Sequence, residues 1–341
     1  MSFNKTYIAF YALFLLSFIV FISNPSDASE KEEEKRQEYL THQPEHNTAE
    51  RADPLDLHFS IGLMEGYDSN ANLDDSGEID DVFTQARFNA HLGYPTESIL
   101  NVLVDYGFTG VFYSDYTDAS LLDHRMRPGI GFKPNNDLEF RVFYDFEALR
   151  YPENDDADYN SNGIAAEVEY RLTKRIRTKL EYEYLVRDYT VRRSLDGGGN
   201  IVSSARQDDR HRISGELRFY FDRSMLKIRS GYMRNDSNMV FQDYYDYEGL
   251  NAAVSYTQII TEKLYAAVSV NYMRTSYKSR KVSAGDETQR DDFCSPRVLV
   301  FYDITKDLTW LLTYSYNQAD SNDPGQEYSG HMVTSGLYYS F

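Results

Sequence analysis

A twelve-residue stretch in the middle of the chain reads Ile176-Arg177-Thr178-Lys179-Leu180-Glu181-Tyr182-Glu183-Tyr184-Leu185-Val186-Arg187. Its even-numbered positions are apolar or aromatic apart from one threonine, and its odd-numbered positions are charged apart from one leucine. A β-strand has a period of two and places these two sets on opposite faces, whereas a helix would mix them. The stretch therefore predicts a strand with one apolar and one charged face.

The same alternation recurs from Leu57 to Phe341, interrupted by polar, acidic or glycine-rich connections. It predicts an all-β fold of about fourteen strands, with an uncertainty of two strands in the count. The predicted strands lie near 57–67, 82–94, 98–113, 121–132, 138–151, 159–172, 175–190, 208–221, 224–238, 243–258, 263–277, 290–302, 308–318 and 328–341.

The connections alternate between short turns, such as 173–174 and 222–223, and mostly longer loops, such as 191–207 and 278–289. Short turns at one end and long loops at the other are typical of a transmembrane antiparallel up-and-down β-barrel. A secreted β-sandwich is the alternative. Aromatic residues beside both kinds of connection predict two girdles at the membrane interfaces, with Tyr94, Phe132, Tyr170, Phe221 and Tyr302 at the short turns and Tyr113, Tyr151, Tyr159, Tyr189, Tyr244 and Tyr277 at the long loops.

The chain ends in Thr334-Ser335-Gly336-Leu337-Tyr338-Tyr339-Ser340-Phe341. This segment resembles the C-terminal β-signal of bacterial outer-membrane proteins, with Thr334, Gly336, Tyr339 and Phe341 as its matching positions. The resemblance implies that the barrel-assembly machinery reads the last strand. That strand must pair with the first one, because an open sheet edge is not tolerated in lipid.

Composition excludes several classes of protein. The 341 residues carry a formal net charge of −19, which argues against a nucleic-acid binder. The mean hydropathy of −0.59 argues against a helical membrane protein, but a barrel is apolar on its outer face only. One cysteine, Cys294, allows no internal disulfide and no thiolate metal cluster.

The N-terminus predicts export. Residues 1–28 have a charged start, an apolar core and a small-residue cleavage site at Ala28, which together predict a signal peptide, with an uncleaved anchor helix as the alternative. Residues 29–56 form an acidic segment, interpreted as a solvated periplasmic tail rather than a plug in the pore. The barrel is predicted to occupy residues 57–341.

The alternation places a set of charged side chains inside the barrel, since each would cost roughly 2–4 kcal/mol against lipid at the membrane midplane. They are interpreted either as paired charges that solvate the interior or as a lining that guides anionic solutes. The candidate lumen-lining residues are Arg87, Arg125, Arg127, Arg141, Arg171, Arg177, Lys179, Arg187, Arg212, Arg218, Lys227, Arg229, Glu139, Glu167, Glu169, Glu181 and Glu183. Glu216 is expected to be the only acid inside the eighth and ninth strands.

No catalytic motif is recognisable. The five histidines of the barrel, His58, His91, His124, His211 and His331, stand in no nucleophile motif, and there is no phosphate loop or zinc motif. The segment 68–79 begins like a calcium loop but has Leu73 at the turn glycine and Ile79 at the bidentate acid. The sequence therefore predicts that the protein is not an enzyme and that it has neither a cofactor nor a metal site.

The segment Gly66-Tyr67-Asp68-Ser69-Asn70-Ala71-Asn72-Leu73 resembles an element found early in two groups of outer-membrane barrels. One group contains the surface lipoprotein assembly modifiers, and the other contains porin-like proteins found with exopolysaccharide systems; the motif residues are Tyr67, Asp68, Ser69 and Asn70. The resemblance implies location in the outer membrane of a Gram-negative bacterium. The N-terminal segment is too short for the helical-repeat domain that precedes the barrel in the assembly modifiers, which favours a stand-alone channel.

Three functional hypotheses follow from the sequence. The first is a channel or export conduit for anionic solutes or polysaccharide, the second is an accessory to lipoprotein translocation, and the third is an anchoring barrel without an open pore. The expected partners are outer-membrane lipid and lipopolysaccharide, the barrel-assembly machinery and either a polysaccharide or a lipoprotein, with no nucleic acid.

Overall fold

The computed structural model describes residues 56–95, 99–283 and 285–341. The predicted signal peptide and the acidic segment, apart from Asp56, lie outside the described residues. Fourteen strands are present in the described chain, as predicted: β1 (Asp56–Asp68), β2 (Asp81–Pro95), β3 (Leu100–Tyr113), β4 (Leu121–Asn135), β5 (Leu138–Arg150), β6 (Tyr159–Thr173), β7 (Ile176–Leu195), β8 (Ile201–Phe221), β9 (Ser224–Ser237), β10 (Tyr247–Ile259), β11 (Leu264–Lys281), β12 (Thr288–Asp303), β13 (Leu308–Ser321) and β14 (Tyr328–Ser340).

Each strand pairs with its neighbours in the chain, and β1 pairs with β14 to close the barrel. All ladders are antiparallel, and the closing ladder runs from Ser60 opposite Ser340 to Asp68 opposite Met332. The predicted closed up-and-down barrel is confirmed. Closure leaves no strand edge free, because every strand has two hydrogen-bonded neighbours.

The two faces of the sheet differ as the alternation predicts. On β7, Leu180 and Tyr182 are 54% and 46% exposed, whereas Glu181 and Glu183 are only 5% and 7% exposed. The apolar side chains therefore lie on the outer surface of the barrel and the charged ones lie inside. This inversion of the usual soluble pattern is typical of a barrel whose outer face contacts lipid.

Helical structure is confined to four 3₁₀ turns in the part of the chain that the structure describes, at Thr117–Ala119, Asp155–Ala157, Phe241–Asp243 and Pro324–Gln326. None of the described helices is long and apolar enough to cross a membrane.

The seam between β1 and β14 depends on a missing side chain. A Cβ atom at Gly336 would lie 2.1 Å from the Leu63 carbonyl oxygen and 2.5 Å from the Met64 Cα atom. Both atoms belong to the β1 backbone, so the two strands can approach this closely only with glycine at this position. Gly336 thus has a direct steric role in closing the barrel.

The loop predicted at 191–207 is largely strand. Strands β7 and β8 continue to Leu195 and from Ile201, which leaves a connection of residues 196–200. The Asp196 carboxylate accepts hydrogen bonds from the backbone N–H groups of Gly198 and Asn200, both at 2.9 Å. This hairpin lacks an apolar face, so periodicity could not reveal it, and backbone pairing with a tight turn holds it instead. Likewise β11 and β12 extend into the predicted loop 278–289.

One of the two predicted aromatic girdles is wrong in its members. At the short turns, Tyr94, Tyr170 and Tyr302 are 46%, 43% and 43% exposed on the outer surface, as expected. At the long loops, Tyr113 and Tyr159 face inward: Tyr113 donates a hydrogen bond to Asp68, and Tyr159 is buried. Side chains alternate between the inner and the outer face along each strand, so a residue beside a long loop can lie on either face. Exposed aromatics on the outer surface toward this end include Tyr67, Phe112, Tyr144, Tyr182, Tyr232 and Tyr314.

Candidate functional site

The inner face of β6 to β8 carries a cluster of buried carboxylates held by cations. Glu167 and Glu181 are register partners on β6 and β7, and like charges at such positions repel. The Lys179 ammonium lies between them, 3.4 Å from a Glu167 oxygen and 3.3 Å from a Glu181 oxygen. The lysine therefore neutralises a pair that would otherwise destabilise the ladder.

Arginines from the next two strands complete the coordination of Glu181. Arg212 of β8 and Arg229 of β9 each lie 3.5 Å from its carboxylate, and Arg212 also lies 2.8 Å from Glu183. A carboxylate that is 5% exposed would be costly to bury alone, and three cations around it offset that cost.

A second part of the cluster extends toward the short turns. Arg141 of β5 lies 3.4 Å from Glu167 and 3.5 Å from Glu169. Glu169 also accepts Arg177 at 3.5 Å and Arg218 at 3.6 Å. The inner wall over β5 to β9 is thus a continuous network of ion pairs, which we call the paired wall.

A cavity of about 150 Å³ lies within the paired wall. Its buried atoms include three without a hydrogen-bond partner, namely Asp145 Oδ2, Ser161 Oγ and Arg212 Nε. A polar cavity of this size can hold ordered water that bonds to such atoms. The lining residues are Arg125, Arg127, Asp145, Phe146, Glu147, Ser161, Glu181, Glu183, Leu185 and Arg212.

All the candidate lumen-lining residues share the inward face of their strands, but most of the predicted basic set is neutralised. Arg125 lies 2.9 Å from Asp123 and 3.0 Å from Glu147, and Arg127 pairs with Asp145. Within the described chain, Arg87, Arg171 and Lys227 have no carboxylate within 4 Å, and Arg187 instead lies over the Tyr159 ring, 3.8 Å from its centroid. The role of the whole set in guiding a solute stays a prediction.

The expectation that Glu216 is the only acid inside the eighth and ninth strands is wrong. Asp208 of β8 also lies on the inner face, is 1% exposed and pairs with Arg206 at 2.5 Å. The Arg206 guanidinium stacks between the rings of Tyr189 and Tyr245, at 4.3 and 3.3 Å from their centroids. The parity of the predicted strand 208–221 already places Asp208 on the same face as Glu216. Its partners Arg206 and Tyr189 are brought to it by the extended β7–β8 hairpin at the long-loop end.

The inner wall opposite the paired wall is different in character. Asn271 and Met273 of β11 and Arg297 of β12 face inward yet are exposed, and small polar residues such as Ser269 and Ser315 surround them. Exposure on the inner face means that water reaches this part of the lumen. We call the inner face around these residues on β11 and β12, together with the inner face of β2 across the seam, where Asn89 is also exposed, the open wall.

Sequence reasoning missed Arg297. It lies two residues from the inward Ser295 and two from the inward Leu299, so strand parity alone would have placed it inside. It was overlooked because its strand carries no run of alternating charges there.

The early motif is a latch across the barrel seam. The Asn70 side chain is 1% exposed and donates hydrogen bonds to the carbonyl oxygens of Asp74 at 2.9 Å and Ser329 at 2.8 Å. Ser69 Oγ accepts from the His331 backbone N–H at 2.8 Å. The motif therefore joins the loop after β1 to the start of β14. Tyr67 lies on the outer surface, where its hydroxyl contacts Asp80 at 3.3 Å.

The β-signal residues occupy both faces of β14. Thr334 is buried and faces inward with Gly336, whereas Tyr339 is 47% exposed on the outer surface. The Phe341 ring follows the strand and stacks on Phe59 of β1, with 5.5 Å between ring centroids. The signal thus closes the seam as well as ending the chain.

Three histidines lie on the outer surface rather than in a site. The Nδ1 atoms of His124, His211 and His331 each lie 2.9 Å from a tyrosine hydroxyl on an adjacent strand. These pairs satisfy polar groups near the long-loop end of the outer face. The part of the chain that the structure describes holds no group of three or more His, Cys, Asp or Glu side chains arranged to bind a metal.

Comparison with known proteins identifies relatives of this barrel. Residues 85–341 match the family described as surface lipoprotein assembly modifier, which spans the barrel from within β2 to its end. No individually curated protein matches the chain in sequence.

Solved structures of outer-membrane proteins align with this barrel. The outer membrane channel DcaP of Acinetobacter baumannii aligns with a TM-score of 0.52 and 10% identity, covering 84% of this chain and 97% of that one. The trimeric form of the Vibrio cholerae outer membrane protein OmpT aligns with a TM-score of 0.49 and 8% identity over 85% of this chain and 100% of its own. A bacterial polysaccharide outer membrane secretin gives 0.48 and 10% over 83% and 98%. The similarity to DcaP shows a common fold of the outer-membrane barrel type and does not extend to a substrate.

Proposed function

Because this chain belongs to the surface lipoprotein assembly modifier family, we propose that it acts in the bacterial outer membrane in placing lipoproteins on the cell surface. The observation that carries the proposal is the family match, which covers thirteen of the fourteen strands in whole or in part. The outward apolar face and the closed seam support a membrane location, because both suit a lipid environment. Outer-membrane barrels have their long loops on the outside of the cell, and we assign the same orientation to this barrel.

The proposal is tested by deleting the gene and measuring which lipoproteins remain accessible on intact cells. Protease treatment of whole cells, followed by mass spectrometry, should show that at least one lipoprotein becomes protected while its total amount stays the same. Restoring the wild-type gene should return that lipoprotein to the surface. An unchanged set of surface lipoproteins in the deletion strain contradicts the proposal.

Two variants of the restoring gene give a matched comparison. Gly336→Ala should fail to restore surface exposure because it prevents closure of the barrel, whereas Gly215→Ala should restore it, because a Cβ at Gly215 meets no atom within 4 Å. Failure of both variants would point to loss of expression, which the total amount of barrel in the membrane reveals.

A second candidate function is a water-filled channel. The open wall favours it, since Asn271, Met273 and Arg297 are exposed inside the barrel. The purified protein in planar bilayers should then give discrete conductance steps. A barrel that stays silent at varied voltage and pH counts against a channel and favours an anchoring role, in which the paired wall fills the lumen.

A further inference from the structure

Two inward arginines lie outside the paired wall. Arg87 of β2 and Arg297 of β12 have no carboxylate within 4 Å among the described residues, although both lie in the barrel interior. Besides its partial removal from water, Arg297 is affected by the charge of Arg87, which has the same sign. Two cations that repel each other without a counter-charge leave the open wall locally positive.

The cross-strand neighbours of the two arginines are mostly small residues. Arg87 lies opposite Gly62 in the β1–β2 ladder, and Gly62 lies opposite Tyr338 in the seam. The Tyr338 ring covers Gly62, and its hydroxyl accepts a hydrogen bond from Arg87 Nη1 at 3.1 Å. On the far side, the cross-strand neighbours of Arg297 are Ser269 and Ser315. Serines therefore flank Arg297 on both sides, whereas Arg87 is bordered by the Tyr338 ring and hydroxyl.

One donor in this region is unsatisfied. Arg87 Nε is buried and has no hydrogen-bond partner among the described residues. The Tyr338 hydroxyl directs its own proton only to the Met64 sulfur at 3.6 Å, which is a weak acceptor. A buried polar group without a partner is rare enough to require an explanation. A small shift of the Arg87 side chain would present this N–H group, together with the Tyr338 hydroxyl, to an oxyanion in the lumen.

We propose that Arg87, Arg297 and Tyr338 form an oxyanion-binding site on the open wall beside the seam, for a solute or polymer that bears carboxylate or phosphate groups. Guanidinium groups present planar pairs of N–H donors that match both of these oxyanions. The proposal goes beyond the proposed function, because the site needs only a lumen that water can reach and not a particular cargo.

Binding of inorganic phosphate to the purified full-length barrel tests the site directly. The protein is held in a detergent without phosphate, and broadening of the phosphorus NMR signal reports binding. The wild-type protein should bind phosphate, and the double variant R87Q/R297Q should bind about tenfold more weakly or not at all. The double variant R87K/R297K should keep part of the affinity because it retains the positive charges.

Arg125→Gln is the matched control. Arg125 is also an inward, exposed arginine, but it has two carboxylate partners, so R125Q should leave phosphate binding unchanged. The shift of the unheated band in gel electrophoresis checks that each variant is folded. Removing two repelling cations should not prevent folding; if it does, the single variant R297Q serves in its place.

Phosphate binding tests this site, whereas surface exposure of lipoproteins tests the proposed function. Failure of one is therefore distinguishable from failure of the other. Absence of phosphate binding to the wild-type barrel overturns the site, as does equal binding by wild type and R87Q/R297Q, or an equal loss in R125Q. Competition by galacturonate identifies the source of the oxyanion. Displacement of phosphate supports a site that takes carboxylates as well, and no displacement supports a site for phosphate groups alone.

Discussion

At the residue scale, Asn70 shows what the early motif does physically. Its amide is almost fully buried and bonds to the backbone of two segments that lie far apart in the sequence, at Asp74 and Ser329. A motif that resembles a family signature therefore stabilises the seam and does not by itself form a binding site.

Replacing Asn70 with alanine should lower stability by about 1–3 kcal/mol, because it leaves buried backbone groups without partners. The temperature at which the folded barrel converts to the unfolded band in gel electrophoresis measures the effect. Asn72→Ala is the control, since Asn72 bonds only within its own exposed loop, to Gly77 and Ile79. Equal unfolding temperatures for N70A and wild type would contradict a stabilising role of Asn70 at the seam.

Asp196 provides a pH dependence at the tip of the β7–β8 hairpin. Backbone and side-chain hydrogen bonds from Asn200, followed by the backbone N–H groups of Gly198 and Gly199, hold the pKa of Asp196 below its ordinary value of 3.8. The carboxylate thus stabilises the turn at pH values above 3.8, and this contribution disappears as the pH falls through the lowered folded-state value.

Hydrogen exchange of the Gly198 and Asn200 amides, corrected for the intrinsic effect of pH, should therefore accelerate as the solution is acidified below pH 3.8. In Asp196→Asn, which cannot titrate, the protection should not change with pH. An identical pH profile in both proteins would mean that another group controls the turn.

At the scale of elements, the seam between β1 and β14 combines three devices. The Asn70 latch holds its outer end, Gly336 allows close approach in the middle, and Phe341 stacks on Phe59 at the other end. The final strand is thus adapted to its partner strand, which gives the segment that resembles a β-signal a structural role of its own.

Gly336→Ala should sharply reduce the yield of folded barrel when the purified chain is refolded in detergent, where no assembly machinery is present. The reason is the clash of a Cβ with the β1 backbone. Gly215→Ala, in β8, should refold like wild type. If G336A refolds normally in detergent but fails to assemble in cells, the glycine serves recognition and not closure.

The paired wall is also a property of elements. Each of its charges is placed by alternation within one strand, but its neutralisation depends on the register between strands. Glu181 meets Lys179 within its own strand, whereas Arg212 and Arg229 reach it from β8 and β9.

At the scale of the whole molecule, the lumen has two unlike sides. One side is held by ion pairs, and the other carries small polar residues and two unneutralised arginines. Water and the proposed oxyanion therefore have access along the open wall.

Single cysteines on the open wall test this arrangement. In a Cys294→Ser background reconstituted into lipid vesicles, Asn271→Cys should react readily with a water-soluble thiol reagent, because Asn271 faces the lumen and is exposed. Val270→Cys should react far more slowly, because Val270 lies on the outer face in lipid. Similar rates at both positions would contradict a barrel that is wet inside and lipid-covered outside.

The sequence by itself determined the all-β class, the order of the strands and the alternation of inward and outward side chains within them, because a period of two is a local property of the chain. Strand parity was sufficient to place Arg87, Glu181 and even the overlooked Arg297 inside the barrel. Parity did not predict strands beyond the end of the apolar face. In the β7–β8 hairpin, the extended parts of the strands are held by backbone hydrogen bonds instead.

Only the tertiary structure decided which charges neutralise each other and which stay unpaired. Arg125 and Arg87 look alike in the sequence, yet the first has two carboxylate partners and the second has none. The physical reason is that an ion pair depends on the register and tilt of several neighbouring strands, and on the closure that brings β12 and β2 to either side of the seam. These are long-range relations that no local pattern of residues contains.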